Sequence, residues 1–232
     1  MDVAAPEETD CEHCEVVELS DAQSAARRIS RLHLADLKLP TGAIVACDPL
    51  QQWTRPAFAR RVAPGRYPVT LYFRDRPGLA AVRFATRPVV RWELALLPGQ
   101  AIESLAPGET FGFALGSGFA ALLDASTAPL IDRRIARLAA DLGEHGVDYY
   151  EDALEAELRI AAAGNFRWCN HRPLPDESGN AIVFSTGARG GCHESWWGLG
   201  HGDQPVVLVL DFGGIESRGA RVSRARAACA GR

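Results

Sequence analysis

Residues 39–49 are Leu39-Pro40-Thr41-Gly42-Ala43-Ile44-Val45-Ala46-Cys47-Asp48-Pro49, a short apolar run between Gly and Pro residues. Because Gly and Pro interrupt strand pairing, the run predicts a buried strand over 43–47. Three further segments rich in β-branched or apolar residues follow at 69–73, 80–85 and 89–97. The links between them are too short for parallel crossovers, which need about a dozen residues, so they favour antiparallel pairing.

The segment 89–97 also predicts which side chains share a face. Arg91 and Glu93 alternate with Trp92 and Leu94. Successive side chains of a strand point to opposite faces, so the two charged residues should lie on one face and the two apolar residues on the other.

The rest of the chain is predicted to add helices and more strands. Apolar residues at near-helical spacing predict helices over 20–37, ended by Pro40, and over 130–142 and 149–163. Strands are expected at 111–115, 181–185 and 206–212. Since the helices do not alternate with the strands, the predicted fold class is α+β, a mostly antiparallel β-sheet with about three helices packed beside it.

The length and the charge distribution predict one domain with two flexible ends. The chain has 232 residues, which is long enough for one hydrophobic core that needs no disulfides or metal ions to hold it together. We expect a flexible acidic arm over 1–19, a single α+β domain over 20–215 and a flexible basic tail over 216–232.

Composition bounds the partners and the compartment. The net charge of −4 argues against nucleic-acid binding, which needs a basic surface. No apolar run reaches the length of a membrane span, and the acidic N-terminus does not resemble a signal peptide. We therefore expect a cytoplasmic protein, with its six Cys as thiols or metal ligands rather than disulfides.

Cys and His residues carry the main chemical signal. The second half of the chain contains Cys169, His171, Cys192 and His201, residue types that bind zinc. The spacings of these residues are poor for chelating one ion. We therefore expect no cofactor and keep zinc as the alternative. A second alternative is a hydrolase, metal-dependent or with Cys192 as nucleophile and His171 or His201 as base.

Five motifs, taken in order, carry a family resemblance. They are Leu-Pro-x-Gly-x-Ile-Val-Ala-Cys-Asp-Pro-Leu from Leu39, Pro-Gly-x-Tyr-Pro-Val from Pro64, Arg-Trp-Glu-Leu-Ala-Leu from Arg91, Phe-Gly-Phe from Phe111, and Leu-Val-Leu-Asp-Phe from Leu208. Over roughly 39–212 the chain resembles a bacterial family catalogued as domain of unknown function 4241. The resemblance implies a fold and a bacterial origin, and it implies no established activity.

This chain departs from the family pattern at three acidic positions, which here hold Leu115, Gly190 and Gly200. If those acids bind a metal or act as acid and base, the chain has lost that activity and is a binder. If they only cap turns, nothing functional follows.

These observations lead to a binding hypothesis. The absence of a convincing catalytic set favours a non-enzymatic binding or interaction module, with an unknown protein or small molecule as partner. The candidate binding residues are Arg189, Trp196 and Trp197 in the loop 185–203, together with Asp48, Glu93 and Asp211. Trp and Arg are chosen because they dominate binding hot spots.

Overall fold

Antiparallel strands make up most of the fold. The computed structural model describes residues 14–107, 109–143, 146–160, 166–187, 191–215 and 228–229. In chain order its strands are β1 Ser30–Leu39, β2 Ile44–Cys47, β3 Gly65–Phe73, β4 Pro77–Arg83, β5 Arg91–Leu94, β6 Glu109–Thr110, β7 Phe113–Ala114, β8 Phe119–Asp124, β9 Arg159–Ile160, β10 Arg167–His171, β11 Ala181–Ser185, β12 Cys192–His193, β13 Ser195–Leu199, β14 Pro205–Asp211 and β15 Ala228–Cys229.

Helices are fewer and shorter. The α-helices are α1 Asp21–Ala26 and α2 Ala128–Leu142, and a π-helical turn spans Tyr150–Leu154. Short 3-10 turns span Cys14–Glu18, Ile102–Ser104, Ala125–Thr127 and His201–Asp203. None of the helices in the described ranges is long and apolar enough to cross a membrane.

The strands form two main sheets. One has six strands in the order β1-β3-β4-β14-β13-β5, and the other has five in the order β2-β8-β11-β10-β9. All pairings within these two sheets are antiparallel. Two small pairs accompany them, β7 with β12 and, in parallel, β6 with β15. The predicted α+β class with a mostly antiparallel sheet is confirmed.

Three apolar layers hold these elements together. The largest lies between the two sheets and includes Leu122, Phe184 and Leu208. The outer face of the six-stranded sheet packs against the segment that starts at Cys14. The outer face of the five-stranded sheet packs against α2 and the π-helical turn. Both sheets are therefore apolar on both faces, which explains why their strands show continuous apolar runs.

The predicted helix over 20–37 is wrong beyond its first turns. Ser20 caps α1 in a capping box with Gln23, but the helix ends at Ala26 and β1 begins at Ser30. A register shift between His33 and Ala35 interrupts the pairing of β1 with β3. The shift breaks the alternation of buried residues, so that the apolar spacing in the sequence imitates a helix.

The predicted helix over 149–163 is also wrong in its second half. The π-helical turn ends at Leu154, and Arg159 and Ile160 then pair with β10 as strand β9. Local acidic and apolar residues favour a helix here, but pairing with the next strand along the chain decides the outcome. The third predicted helix, over 130–142, is confirmed as α2, with Gly143 at a positive φ of 63° after its end.

The two predicted flexible ends fall mostly outside the described residues. Within the predicted arm, Cys14, Val16 and Val17 are buried against the six-stranded sheet, so the packed part of the chain begins before residue 20. Within the predicted tail, the backbone of 228–229 pairs with β6.

A small residue opposite a large one fixes the register at the edge of the six-stranded sheet. Gly198 on β13 lies directly opposite Trp92 on β5. A β-carbon at Gly198 would lie 2.6 Å from Val207 Cγ1 and 2.9 Å from Trp92 Cζ3. Trp92 therefore covers a position that has no room for a side chain.

This packing predicts the effect of an added methyl group. Gly198→Ala should lower the free energy of unfolding by about 1–3 kcal/mol, because the neighbours must shift to admit it. Urea unfolding measures the loss. Gly200→Ala is the control, since its β-carbon would meet its nearest neighbour at 3.1 Å, and it should cost less. Equal losses in both variants would contradict the packing argument.

Candidate functional site

Asp48 is a structural carboxylate. It follows β2 and is 2% exposed. Its Oδ1 accepts hydrogen bonds from Leu50 N at 2.9 Å and Ser117 Oγ at 2.6 Å, and its Oδ2 accepts from the amides of Gly116 and Ser117, both at 2.8 Å. Both oxygens are thus engaged in holding the turn before β8 to the end of β2. Ser117 is engaged in the same contact.

Asp211 and Trp196 also serve local structure. Asp211 Oδ1 accepts a hydrogen bond from Gly213 N at 2.7 Å and closes the turn after β14. Trp196 packs in the apolar layer on the outer face of the six-stranded sheet, and its indole N–H donates to Glu194 Oε2 at 3.2 Å. The third loop candidate, Arg189, lies outside the described residues.

The proposed Cys and His ligand set is not assembled. Cys169 and His171 share one face of β10, whereas Cys192 lies on β12, paired with β7, and His201 is exposed in the turn before β14. Within the described ranges, no three His, Cys, Asp or Glu side chains are grouped to hold a metal ion.

The expectation that all cysteines are reduced is wrong for two of them. Cys14 and Cys192 are disulfide-bonded. Cys192 therefore has no free thiol to act as a nucleophile or a metal ligand.

The two free thiols lack the properties of a nucleophile. Burial raises the pKa of Cys169 to about 12, and the negative charge of Glu157 acts in the same direction. Burial also raises the pKa of Cys47 to about 12, although Arg55 opposes the shift. A catalytic cysteine needs the opposite, a thiolate stabilised at neutral pH.

The buried His171 is the centre of a polar cluster that the sequence did not predict. Its Nε2 lies 2.6 Å from Tyr149 Oη, and its Nδ1 lies 3.1 Å from Glu157 Oε2. Tyr149 precedes the π-helical turn and Glu157 follows it, so one imidazole fastens both ends of this turn to the sheet. Burial raises the pKa of the Tyr149 phenol, which therefore stays protonated. Sequence spacing could not reveal the cluster, because the segment was predicted to be one continuous helix.

Glu93 and Trp197, two of the predicted binding residues, do meet in space. They are directly opposite on β5 and β13 and therefore share a face. Trp197 belongs to the layer between the sheets, so Glu93 points to the inner side at the sheet edge. Together they border a pocket of about 410 Å³, which we call the β5 pocket. It is lined by Ala59, Arg60, Glu93, Leu94, Leu96, Ile102 and Trp197.

Four charged residues form a connected rim at this edge. Glu93 Oε1 accepts from Arg60 Nε at 2.9 Å, and its Oε2 accepts from an Arg91 terminal nitrogen at 3.0 Å. Arg91 also donates to Asp203 Oδ1 at 2.7 Å, which raises the pKa of Arg91 and lowers that of Asp203. Arg60 donates to the Asp203 carbonyl at 3.1 Å. The two positive and two negative charges of the rim balance.

Trp197, which lines the pocket, carries a buried polar atom without a partner among the described residues. Trp197 is 1% exposed, and its indole N–H finds no acceptor among the described residues. The buried Ser195 hydroxyl, two positions earlier on β13, also has none there. Buried polar groups are nearly always hydrogen-bonded, so these two are exceptions to the usual pattern.

The sequence contained part of this site. The alternation of residues 91–94 correctly placed Arg91 and Glu93 on one face. Arg60 and Ile102 were missed because they lie on other elements, and only the folded topology brings them to β5.

The thiol properties predict slow alkylation. A pKa of about 12 leaves Cys169 with roughly one thiolate in 10,000 molecules at pH 8, compared with about a quarter for an ordinary cysteine. Native protein treated with iodoacetamide should therefore leave Cys47 and Cys169 unmodified in peptide mass spectra, and urea-unfolded protein should not. Rapid native modification of Cys169 would show that its thiol is activated.

The contacts of Asp48 and Asp211 predict unequal effects of the same substitution. Asp48→Asn turns an amide toward buried donors and should cost about 1–3 kcal/mol of unfolding free energy. Asp211→Asn keeps an oxygen for Gly213 N and should cost less than about 1 kcal/mol. Chemical unfolding of both variants compares them, and a smaller loss for Asp48→Asn would refute its structural role.

Comparison with known proteins gives one match. No curated protein and no solved structure matches this chain. A family described as protein of unknown function (DUF4241) matches residues 37–210. This range contains β2 to β5, β13 and nearly all of β14, and with them every residue that lines the β5 pocket. Because the match covers most of the chain, the protein belongs to the DUF4241 family.

Proposed function

We propose that this protein is a non-enzymatic binding protein and that the β5 pocket is its ligand site. The observation that carries the proposal is the meeting, in one pocket at the sheet edge, of apolar walls with the paired charges of Arg60 and Glu93. The partner in this proposal is a small molecule. No cofactor is part of it.

The walls and the size of the pocket support binding. Ile102 is 47% exposed at the pocket, although its side chain is large and apolar. Leu96 and Ala59 continue this apolar wall. Ligand sites are typically concave, mostly apolar and roughly 300–1,000 Å³ in volume, with a few fixed polar groups. The pocket volume of about 410 Å³ lies within this range.

The competing proposal of a hydrolase has less support. Its four Cys and His residues do not come together among the described residues, and Cys192 is disulfide-bonded. The buried Cys169 lies beside His171 on β10, but the raised pKa of its thiol opposes nucleophilic attack. Binding requires none of these groups.

The disulfide-bonded cysteines bear on the compartment. Disulfides persist in oxidising surroundings, whereas cytosolic reductants keep most thiols reduced. The bonded state of Cys14 and Cys192 therefore weighs against the cytoplasmic location expected from the sequence. The binding proposal does not depend on the compartment.

A matched pair of surface substitutions tests the site. Ligands from a library of small amphipathic compounds should raise the melting temperature of the native protein, since a ligand that binds only the folded state stabilises it. Ile102→Asp places a charge in the pocket wall and should weaken binding by at least about tenfold.

Val90→Asp is the control. Val90 is 53% exposed, comparable to Ile102, and it does not line the pocket. It should leave the affinity of each ligand unchanged. Ligands that bind both variants equally, or a library without any ligand, would refute the proposed site.

A further inference from the structure

We infer that Cys192 is bonded to Cys229 and that this disulfide holds the C-terminal strand β15 on β6 until a dithiol reduces it. The bond is then a redox-sensitive clasp for the end of the chain. The inference goes beyond the proposed function and does not depend on the β5 pocket.

The number of cysteines limits the possible partners of Cys192. The chain has six cysteines, of which Cys47 and Cys169 are free, and Cys192 is disulfide-bonded. Its partner within the chain is one of the remaining three, which are Cys11, Cys14 and Cys229.

The position of the Cys192 sulfur selects among these candidates. Cys192 lies on β12, and its Sγ lies 3.9 Å from the carbonyl oxygen of Thr110 on β6. A β-carbon at Gly112 would lie 2.8 Å from the same sulfur. The sulfur is therefore seated against the backbone of residues 110–112.

The C-terminal strand brings a cysteine to the same backbone. Only the backbone of Cys229 is described, and its register partner in the parallel pairing of β15 with β6 is Thr110. Neighbouring strands lie about 4.7–4.9 Å apart, and the α-carbons of bonded cysteines lie about 4.4–6.8 Å apart. Cys192 and Cys229 thus border the same residue at a spacing that a disulfide spans.

Cys14 belongs to a different neighbourhood. It is buried in the apolar layer on the outer face of the six-stranded sheet, whereas the strand paired with β12 contributes Phe113 to the layer between the sheets. Cys11 precedes Cys14 in a Cys-x-x-Cys spacing. Because Cys14 is also disulfide-bonded, Cys11 remains as its partner once Cys192 takes Cys229.

The pairing of β15 is too short to hold the strand by itself. It has two residue pairs, and β15 and β6 have no other strand beside them in their sheet. Even a complete two-stranded hairpin is only marginally stable in water. A disulfide restricts the unfolded chain, most strongly when it closes a long loop, and this one closes a loop that contains β13 and β14. Reduction should therefore release β15 from β6.

A dithiol completes the reduction. One thiolate of the dithiol attacks a sulfur of the protein disulfide and forms a mixed disulfide, and its second thiolate then displaces the protein sulfur. The protein gains two electrons and two protons and ends with two thiols, while the dithiol becomes a disulfide. Cys192 is half-buried, so a small dithiol can reach it.

Peptide mapping tests the pairing. Full-length protein would be oxidised in a glutathione buffer, its free thiols would be blocked with N-ethylmaleimide in urea, and it would be digested with trypsin without reductant. The tryptic peptides that carry the cysteines in question are 190–218 with Cys192, 227–232 with Cys229, and 1–27 with Cys11 and Cys14. The first two should be joined and should separate on reduction. A link between the first and the third, or no link at the first, would overturn the inference.

Hydrogen exchange tests the clasp. In Cys229→Ser, or in the native chain with dithiothreitol, the backbone amides of β6 should exchange at least about tenfold faster than in the oxidised native chain. Cys11→Ser is the matched control, because it removes the other disulfide, and it should leave the exchange of β6 unchanged. Equal exchange of β6 in the oxidised native chain and in Cys229→Ser would refute the clasp. None of these outcomes alters the proposal for the β5 pocket, which Ile102→Asp tests separately.

Discussion

The structure depends on burying both faces of one strand. In β14, Val207 and Val209 face the outer layer of the six-stranded sheet, whereas Leu208 and Leu210 face the layer between the sheets. All four are fully buried. Burying each such side chain is worth about 1.5–3 kcal/mol, so covers are needed on both sides. The five-stranded sheet covers one face, and the N-terminal segment from Cys14 covers the other. This requirement explains why Cys14, Val16 and Val17, at the end of the segment expected to be a flexible arm, are packed.

The sequence correctly predicted the strands that form short apolar runs between turns. Segments such as 43–47 and 181–185 are short apolar runs bounded by turns, and they form strands where expected. β1 was missed because the register shift after His33 breaks its alternation. β9 was missed because its pairing with β10 overrides the helical preference of its own residues. β1 pairs with the remote strand β3 and β9 pairs with the next strand β10, and in both places strand pairing overrides the helix-like pattern of the residues.

The polar side chains also divide into those with local contacts and those with long-range contacts. Asp211 bonds to backbone two residues away, as polar residues at strand ends often do, whereas Asp48 bonds both to the nearby Leu50 and to the distant Gly116 and Ser117. The β5 pocket is different because β5 and the segment after it meet Ala59 and Arg60, which precede β3, and Trp197 of β13. The sequence placed Arg91 and Glu93 on one face, but it could not show that Arg60 reaches Glu93 or that Trp197 lies beneath them. The pocket is thus a product of topology, as is the contact of Asp48 with residues 116–117, whereas the contact of Asp211 is local turn chemistry.

The charged rim has a consequence for self-association. β5 is an edge strand, and an edge strand can serve as a template on which another chain adds a strand of its own. Charges that point inward from an edge oppose such pairing, because the incoming strand would have to bury them. Arg91 and Glu93 occupy this position. A variant that exchanged these charges for tighter binding of apolar ligands would also lose a barrier to aggregation. The need to remain soluble therefore limits how apolar this pocket can become.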